Sequence, residues 1–153
     1  LYYFDGKEDI HVTLLSQLME SWLEPLEQLD PNGDPLAEIL AYVLRKVEMT
    51  REFPRESRLF ANEILQGAPR MTPHLESGLK PLFDKKCALI QHWIDRGELA
   101  QVDQRHLIFS IWSTTQHYAD FDAQVRVLMA GEKGVLNGGE AYLETLFSKL
   151  LTP

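Results

Sequence analysis

The chain has 153 residues, enough for a domain with its own hydrophobic core, and its 44% apolar and 25% charged residues are ordinary for a globular protein. It has no run of about 18 apolar residues, so neither a transmembrane helix nor a membrane partner is expected. The net charge of −8 argues against a nucleic-acid-binding surface on these residues, and the single Cys87 excludes an intramolecular disulfide and favours the reducing cytoplasm.

Apolar residues recur with a helical period along the whole chain and no segment alternates like a strand, so the predicted fold is all-α. The predicted helices span residues 7–29, 34–52, 55–66, 72–96, 103–121 and 137–151. A looser connection over residues 122–134 contains a short helical turn. Pro81 lies inside the fourth helix and should bend or split it. Asn137 and Glu140 should cap the last helix.

The first residues of the chain do not resemble the start of a protein, because an aromatic segment comes before any capping residue. Asp5 can cap a new helix, and Glu8 lies three residues later, where it completes a capping box. Tyr2, Tyr3 and Lys7 flank this turn, and tyrosine and lysine side chains at a helix start can bind a phosphate backbone. These three residues are therefore candidate DNA contacts.

A segment without charge, residues 107–118, gives the sharpest information about a ligand site, because a helix of this kind must be covered on more than one side. Trp112 and Gln116 lie one turn apart on it. Two interpretations are open. The indole and the amide can form a pocket for a planar polar ring. Alternatively, Trp112 is a core residue and Gln116 pairs with the backbone or with water.

Several other residues invite a chemical role, but their spacing does not support one. The five histidines lack metal-ligand spacing, and no cysteine pair accompanies them. Asp120 and Asp122 near His117 are more typical of a solvated helix end than of an acid–base pair. Cys87 lacks an activating neighbour on its own helix face. No catalytic residue, metal or cofactor is therefore predicted.

The opening residues 1–8 are similar to the boundary between the recognition helix and the next helix in tetracycline-repressor (TetR) family regulators. The sequences of residues 22–26, 57–60, 63–69 and 106–121 resemble one subgroup of that family, the pyrimidine-utilisation regulators that sense uracil and thymine. The resemblance continues to Phe121 and fades after Asp122. Pro81 is a departure from the subgroup and leaves the shape of the outer pocket wall open.

The resemblance implies that residues 1–6 end a helix-turn-helix head and that residues 7–153 form a ligand-binding and dimerisation domain. It also implies a homodimer in which the last two long helices of each subunit form a four-helix bundle. Operator DNA would bind through the head. Candidate seam residues are apolar or aromatic and lie on those two helices: Leu107, Ile111, Tyr118, Leu143 and Leu150.

Trp22, Trp112 and Gln116 match the ligand-contacting residues of the subgroup, and we expect Phe60, Glu63 and Phe109 to be their neighbours. The expected function is a transcriptional regulator, of repressor type, that responds to a small planar effector. Three alternatives stay open at this point: a relative with an unrelated ligand such as an aromatic acid, a helical enzyme using the Trp112 and Gln116 pocket, and a purely structural dimerisation module.

Overall fold

A computed structural model describes residues 6–153, and the described residues form helices and turns without a strand. The predicted all-α fold is confirmed. The elements in chain order are α1 (Lys7–Glu27), α2 (Pro35–Glu52), α3 (Pro54–Leu65), α4 (Thr72–His74), a π-helical turn (Leu75–Leu79), α5 (Lys80–Asp95), α6 (Gln104–Asp120), α7 (Asp122–Leu128) and α8 (Val135–Leu151). Tyr2, Tyr3 and Asp5 lie outside the described residues.

Local chemistry sets the starts of α2 and α6 and the end of α5. The Asp34 carboxylate accepts a hydrogen bond from the Ala37 N–H at 2.9 Å at the start of α2. Asp103 accepts from the N–H groups of Arg105 and His106 at the start of α6. Both aspartates satisfy helix donors that would otherwise lack partners. Gly97 ends α5 with a φ of 74°, a left-handed conformation that glycine adopts without strain.

The predicted cap of the last helix is wrong. Helix α8 begins at Val135, after Gly134 in a left-handed conformation, and no side chain caps it. Asn137 and Glu140 instead bind Arg51 of α2, through a hydrogen bond of 2.9 Å and an ion pair of 3.5 Å. A charged partner from another helix has therefore replaced the local capping pair.

Pro81 splits the fourth predicted helix, as expected. Proline has no N–H to donate, so the regular hydrogen-bond pattern fails before it. The Lys80 N–H reaches back to the Leu75 carbonyl, which closes a π-helical turn just ahead of the proline. Gly78 lies in this turn, and a Cβ there would approach Met19 Cε of α1 to 3.1 Å. The turn therefore packs closely on α1.

Helix α2 is central and packs against α6 and α8. The main core is built from large side chains of α1, α2, α5, α6 and α8, among them Leu26, Ile39, Ile90, Trp93, Ile108 and Phe147. A second cluster joins α1 to the segment after α3, through Leu15, Met19, Ala68 and Met71. None of the helices in residues 6–153 is both long and apolar enough to cross a lipid bilayer.

Part of the predicted dimer seam needs correction. Leu107, Ile111 and Leu143 are 3%, 0% and 2% exposed in the single chain, so they belong to its own core and have no surface for a partner. Tyr118 is half-buried and packs against Gly139, where a Cβ would lie 2.6 Å from the tyrosine ring. Among the five predicted seam residues, Leu150 is exposed.

Candidate functional site

A cavity of about 610 Å³ lies between α1, α3, the π-helical turn and the end of α6. Its walls are mostly apolar, with a few polar groups at fixed points, which is the usual make-up of a small-molecule site. The apolar and aromatic lining residues are Met19, Trp22, Leu23, Phe60, Ala61, Ile64, Leu65, Leu75, Leu79, Trp112 and Phe121. The polar lining residues are Lys46, Ser57, Arg58, Asn62, Gln116 and Asp120.

Four of the predicted ligand residues, Trp22, Phe60, Trp112 and Gln116, line this cavity. Phe109 does not. Its ring stacks on Phe83 at a centroid distance of 5.4 Å, and the residue is 48% exposed. Phe109 lies on the outer face of α6 and not at the cavity that the other aromatic ligand candidates line.

Glu63 also lies outside the cavity, although its chain neighbours Asn62 and Ile64 both line it. Its carboxylate accepts hydrogen bonds from the N–H groups of Arg70 and Met71, and from Arg70 Nη1, at 2.8, 3.1 and 2.9 Å. Burial raises the pKa of Glu63, but these donors outweigh burial and hold the pKa below its ordinary value. Glu63 therefore fixes the segment after α3 rather than a ligand.

Trp112 is held in one orientation by Tyr42 of α2. Its indole N–H donates to Tyr42 Oη at 2.8 Å, and burial raises the pKa of that phenol. The Phe83 and Phe109 rings support the indole from the side, at centroid distances of 6.1 and 6.0 Å. Because its polar atom is already satisfied, Trp112 offers the cavity ring surface rather than a hydrogen bond.

Gln116 lies one turn after Trp112 on α6 and is half-buried at the cavity wall. Within residues 6–153 its amide makes no hydrogen bond. The amide combines a carbonyl acceptor with an NH₂ donor on one planar group. It can therefore pair with a ring that offers an N–H beside a C=O.

Lys46 is the polar residue of the cavity that the sequence analysis missed. It comes from α2, it is 2% exposed, and its Nζ lies 5.9 Å from the centre of the Trp22 ring. In the described part of the chain its ammonium forms no ion pair and no hydrogen bond. Burial lowers its pKa to about 7, against the attraction of Asp120. Its position three residues after buried Val43 was a signal in the sequence, since a lysine on an apolar helix face needs a reason.

The far end of the cavity is polar. Ser57 Oγ donates to Asp120 Oδ1 at 2.6 Å, and Arg58 Nη1 donates to the Ala119 carbonyl at 2.9 Å. These bonds join the start of α3 to the end of α6. They fix the Asp120 carboxylate in place, and its negative charge supports a positive charge on Lys46.

Two other groups of predictions concern residues away from the cavity. Lys7 is exposed in the first turn of α1, while Tyr2 and Tyr3 are outside the described residues. Residues 6–153 contain no group of three or more histidine, cysteine, aspartate or glutamate side chains placed to hold a metal ion. Cys87 is buried, and burial raises the pKa of its thiol.

Comparisons with known proteins add a family and relatives. Residues 15–147 match the TetR-type family described as YcdC-like protein, C-terminal region. The HTH-type transcriptional regulator RutR of Escherichia coli (strain K12) is 46% identical over 128 residues, which are 84% of this chain and 60% of that protein. RutR of Shigella flexneri gives the same values. The chain therefore spans about 60% of the length of the curated relatives it matches.

Proposed function

This chain belongs to the YcdC-like C-terminal family of TetR type, and we propose that it is the effector-sensing and dimerising part of a transcriptional regulator. The cavity under Trp22 and Trp112 is the effector site in this proposal. The observation that carries it is the pair of polar groups with no partner of their own, Lys46 and Gln116, at the wall of an otherwise apolar cavity. Neither group has a protein partner within residues 6–153, so a ligand that supplies one gains affinity.

The effector that fits these groups is a small planar ring with adjacent C=O and N–H groups, such as uracil or thymine. Trp22 and Trp112 supply flat apolar surface for the ring faces. The Gln116 amide pairs with one C=O and N–H edge, and the Lys46 ammonium donates to another carbonyl oxygen. The resemblance to pyrimidine-sensing regulators supports the same class of ligand.

Regulation requires that the effector favours one arrangement of the two DNA-binding heads over another. In the proposal, residues 1–6 end the head, and Tyr2, Tyr3 and Lys7 contact DNA phosphates. Helix α1 is the natural connection, because Lys7 lies at its start and Trp22 lies in the cavity wall. Half-sites for paired heads are spaced about 34–36 Å apart, so a small shift of the two α1 helices prevents simultaneous binding.

The dimer is proposed to form through α6 and α8, with a seam revised from the sequence prediction. Tyr142, Leu146 and Leu150 recur every four residues on α8 and are 65%, 36% and 44% exposed. Phe109 and Ser113 are exposed on α6. Apolar side chains in one row on a helix surface are typical of a helix–helix interface.

The two rival functions differ in what they require of the cavity. An enzyme needs an acid, base or metal aimed at a reacting atom, and Lys46 is a candidate base because its pKa is about 7. A regulator binds its effector and releases it unchanged. A regulator for an aromatic acid would use Lys46 to bind a carboxylate.

Calorimetry on the protein tests these possibilities. We expect saturable binding of uracil and thymine, one per chain, and no conversion of either after prolonged incubation. Binding of benzoate in preference to uracil would show that the effector is an aromatic acid and not a pyrimidine. Turnover of uracil would show that the protein is an enzyme and not a regulator.

A further inference from the structure

One arginine outside the cavity connects two helices that line it. Arg70 lies in the segment between α3 and α4. Its Nη1 donates to Glu63 of α3 at 2.9 Å. Its Nε lies 2.6 Å from a Glu8 carboxylate oxygen of α1 in an ion pair, in which the Nε–H does not point at that oxygen. A guanidinium spreads its positive charge over all its nitrogens, so it can donate a hydrogen bond to one carboxylate and attract a second through charge.

The α3 side of this connection is rigid. The Glu63 side chain is 1% exposed, and three donors from Arg70 and Met71 surround its carboxylate. Breaking any of them would leave a buried charge with fewer partners, which is costly. Met71 is itself fully buried in the second core cluster. The segment that carries Arg70 must therefore follow any movement of the end of α3.

The end of α3 is also a wall of the cavity. Phe60, Ala61, Asn62, Ile64 and Leu65 all line it, on either side of Glu63 in the chain. A ligand that enters the cavity displaces or tightens this wall. Since Glu63 is on the same helix turn, the movement reaches Arg70.

The α1 side of the connection is lightly held elsewhere. Leu15 is the first buried residue of α1, so its first two turns contribute no buried side chain. Glu8 lies in the first turn, next to Lys7, and is about 16 Å along the helix from Met19 at the cavity, at 1.5 Å per residue. An ion pair at this point can decide where the start of the helix lies.

We propose that Arg70 is a positioning residue that couples occupancy of the cavity to the first turn of α1, by holding Glu63 and Glu8 with one guanidinium. The inference rests on the proposed function, in which effector binding in the cavity must reach the DNA-binding head through α1. Occupied and empty cavities place the end of α3 differently, and the Arg70 contact transfers that difference to the start of α1.

The test uses the full-length protein and fills the cavity without a ligand. Ala61→Phe places a ring in the cavity, and Asn62→Trp does the same from its exposed rim if the first variant fails to fold. Hydrogen exchange is measured at the backbone amides of residues 10–14, which are bonded within α1. We expect filling the cavity to change these exchange rates by up to about fivefold, the factor that one exposed ion pair contributes to an equilibrium.

The same measurement is then made with Glu8→Gln, which removes the α1 partner and leaves the Glu63–Arg70 contact intact. We expect the response at residues 10–14 to disappear, while the response in α3 persists. Asp84→Asn is the matched control, because it removes an exposed ion pair with Lys80 within α5. The control should keep the full response.

An equal response at residues 10–14 with and without the Glu8 carboxylate would overturn the coupling, and so would no response to either cavity-filling variant. Calorimetry with uracil on the same wild-type protein separates this inference from the proposed function. If uracil fails to bind while the response depends on Glu8, the pyrimidine is wrong and the coupling stands.

Discussion

The Lys46 ammonium lies 5.9 Å from the centre of the Trp22 ring, and only 2% of the lysine is exposed. This distance permits a cation–π attraction, which is stronger where water is excluded. The ring nevertheless cannot replace the hydrogen bonds that an ammonium group makes in water. The cavity therefore holds a polar group at a cost to the stability of the empty protein.

Replacing Lys46 by methionine should stabilise the protein and weaken effector binding. Methionine has a similar length without the charge, and replacing buried ionic groups by apolar ones often stabilises by ~1–4 kcal/mol. Urea denaturation at pH 7 measures the gain in the free energy of unfolding.

The same variant tests the pH dependence of stability. Because burial lowers the Lys46 pKa from 10.5 to about 7, the unfolded chain holds one more proton than the folded chain between these pH values. Wild-type stability should therefore rise with pH across that window, by an amount that the methionine variant lacks. A less stable variant would show that Lys46 is satisfied in the empty protein.

Effector affinity should have the opposite dependence on pH. A carbonyl oxygen accepts a hydrogen bond from the charged ammonium, so the complex raises the Lys46 pKa and takes up a proton. Affinity should fall as pH rises from 6 through 8, since the free lysine has a pKa of about 7. Calorimetry in buffers of different ionisation enthalpy measures the proton uptake. Uptake that persists in Lys46→Met would assign it to another group.

Two adjacent glycines in α8 give a matched pair for testing the contact between α6 and α8. A Cβ at Gly139 would lie 2.6 Å from the Tyr118 ring, whereas a Cβ at Gly138 would meet nothing within 4 Å. Gly139→Ala should destabilise by ~1–3 kcal/mol through overpacking. Gly138→Ala should stabilise by up to ~1 kcal/mol, because alanine favours a helix. Thermal unfolding of both variants measures the difference, and equal melting temperatures would place Tyr118 elsewhere.

The revised dimer seam is tested by placing a charge on α8. Leu146→Glu puts a carboxylate in the middle of the exposed apolar row, where a partner would have to bury it without compensation. Sedimentation should show a dimer for the wild type and a monomer for the variant at micromolar concentration. Val127→Glu, on the exposed face of α7 at 76% exposure, is the control and should stay dimeric. A wild-type monomer would contradict the proposed dimer, and dissociation of the control alone would move the interface away from α8.

Helix positions could be predicted from the sequence because their signals are local. Asp34, Asp103 and Gly97 act through their own and adjacent backbone groups, and Pro81 removes a donor from its own helix. The cap at Asn137 failed because Arg51, distant in sequence, competes for the same side chain. Capping patterns are therefore reliable only where no charged side chain from another element reaches the helix end.

Helix α6 shows where the spacing of apolar residues no longer identifies the buried face of a helix. The helix carries no charge on any face over residues 107–118, so its pattern cannot separate the face that packs on α2 from the face available to a partner. Leu107 and Ile111 pack in the core, whereas Phe109 between them is exposed. Tertiary packing decides which face of α6 is buried, and the pattern of residues along α6 alone does not show which face that is.

The residues of the candidate site also fall into two groups, those whose position follows from the sequence and those whose position depends on the packing of the helices. Trp112 and Gln116 are one turn apart, so their spacing alone places them on one face of α6. Lys46 comes from α2, and only the packing of α2 against α6 brings it to the cavity. Glu63 is the reverse case, since its neighbours line the cavity while its carboxylate is bonded to Arg70 and Met71.

Calorimetric titration of uracil into the wild type, Gln116→Leu and Gln91→Leu tests the central claim most directly. Leucine removes the amide but keeps a similar shape, and leaving buried polar groups of the ligand without partners costs ~1–3 kcal/mol for each group. The Gln91 amide lies on α5, away from the cavity, and donates to Asp95, so its loss should leave binding unchanged. We predict tight binding to the wild type and Gln91→Leu, and affinity at least about tenfold weaker for Gln116→Leu. Equal affinity in all three proteins, or no binding of uracil to the wild type, would contradict the account.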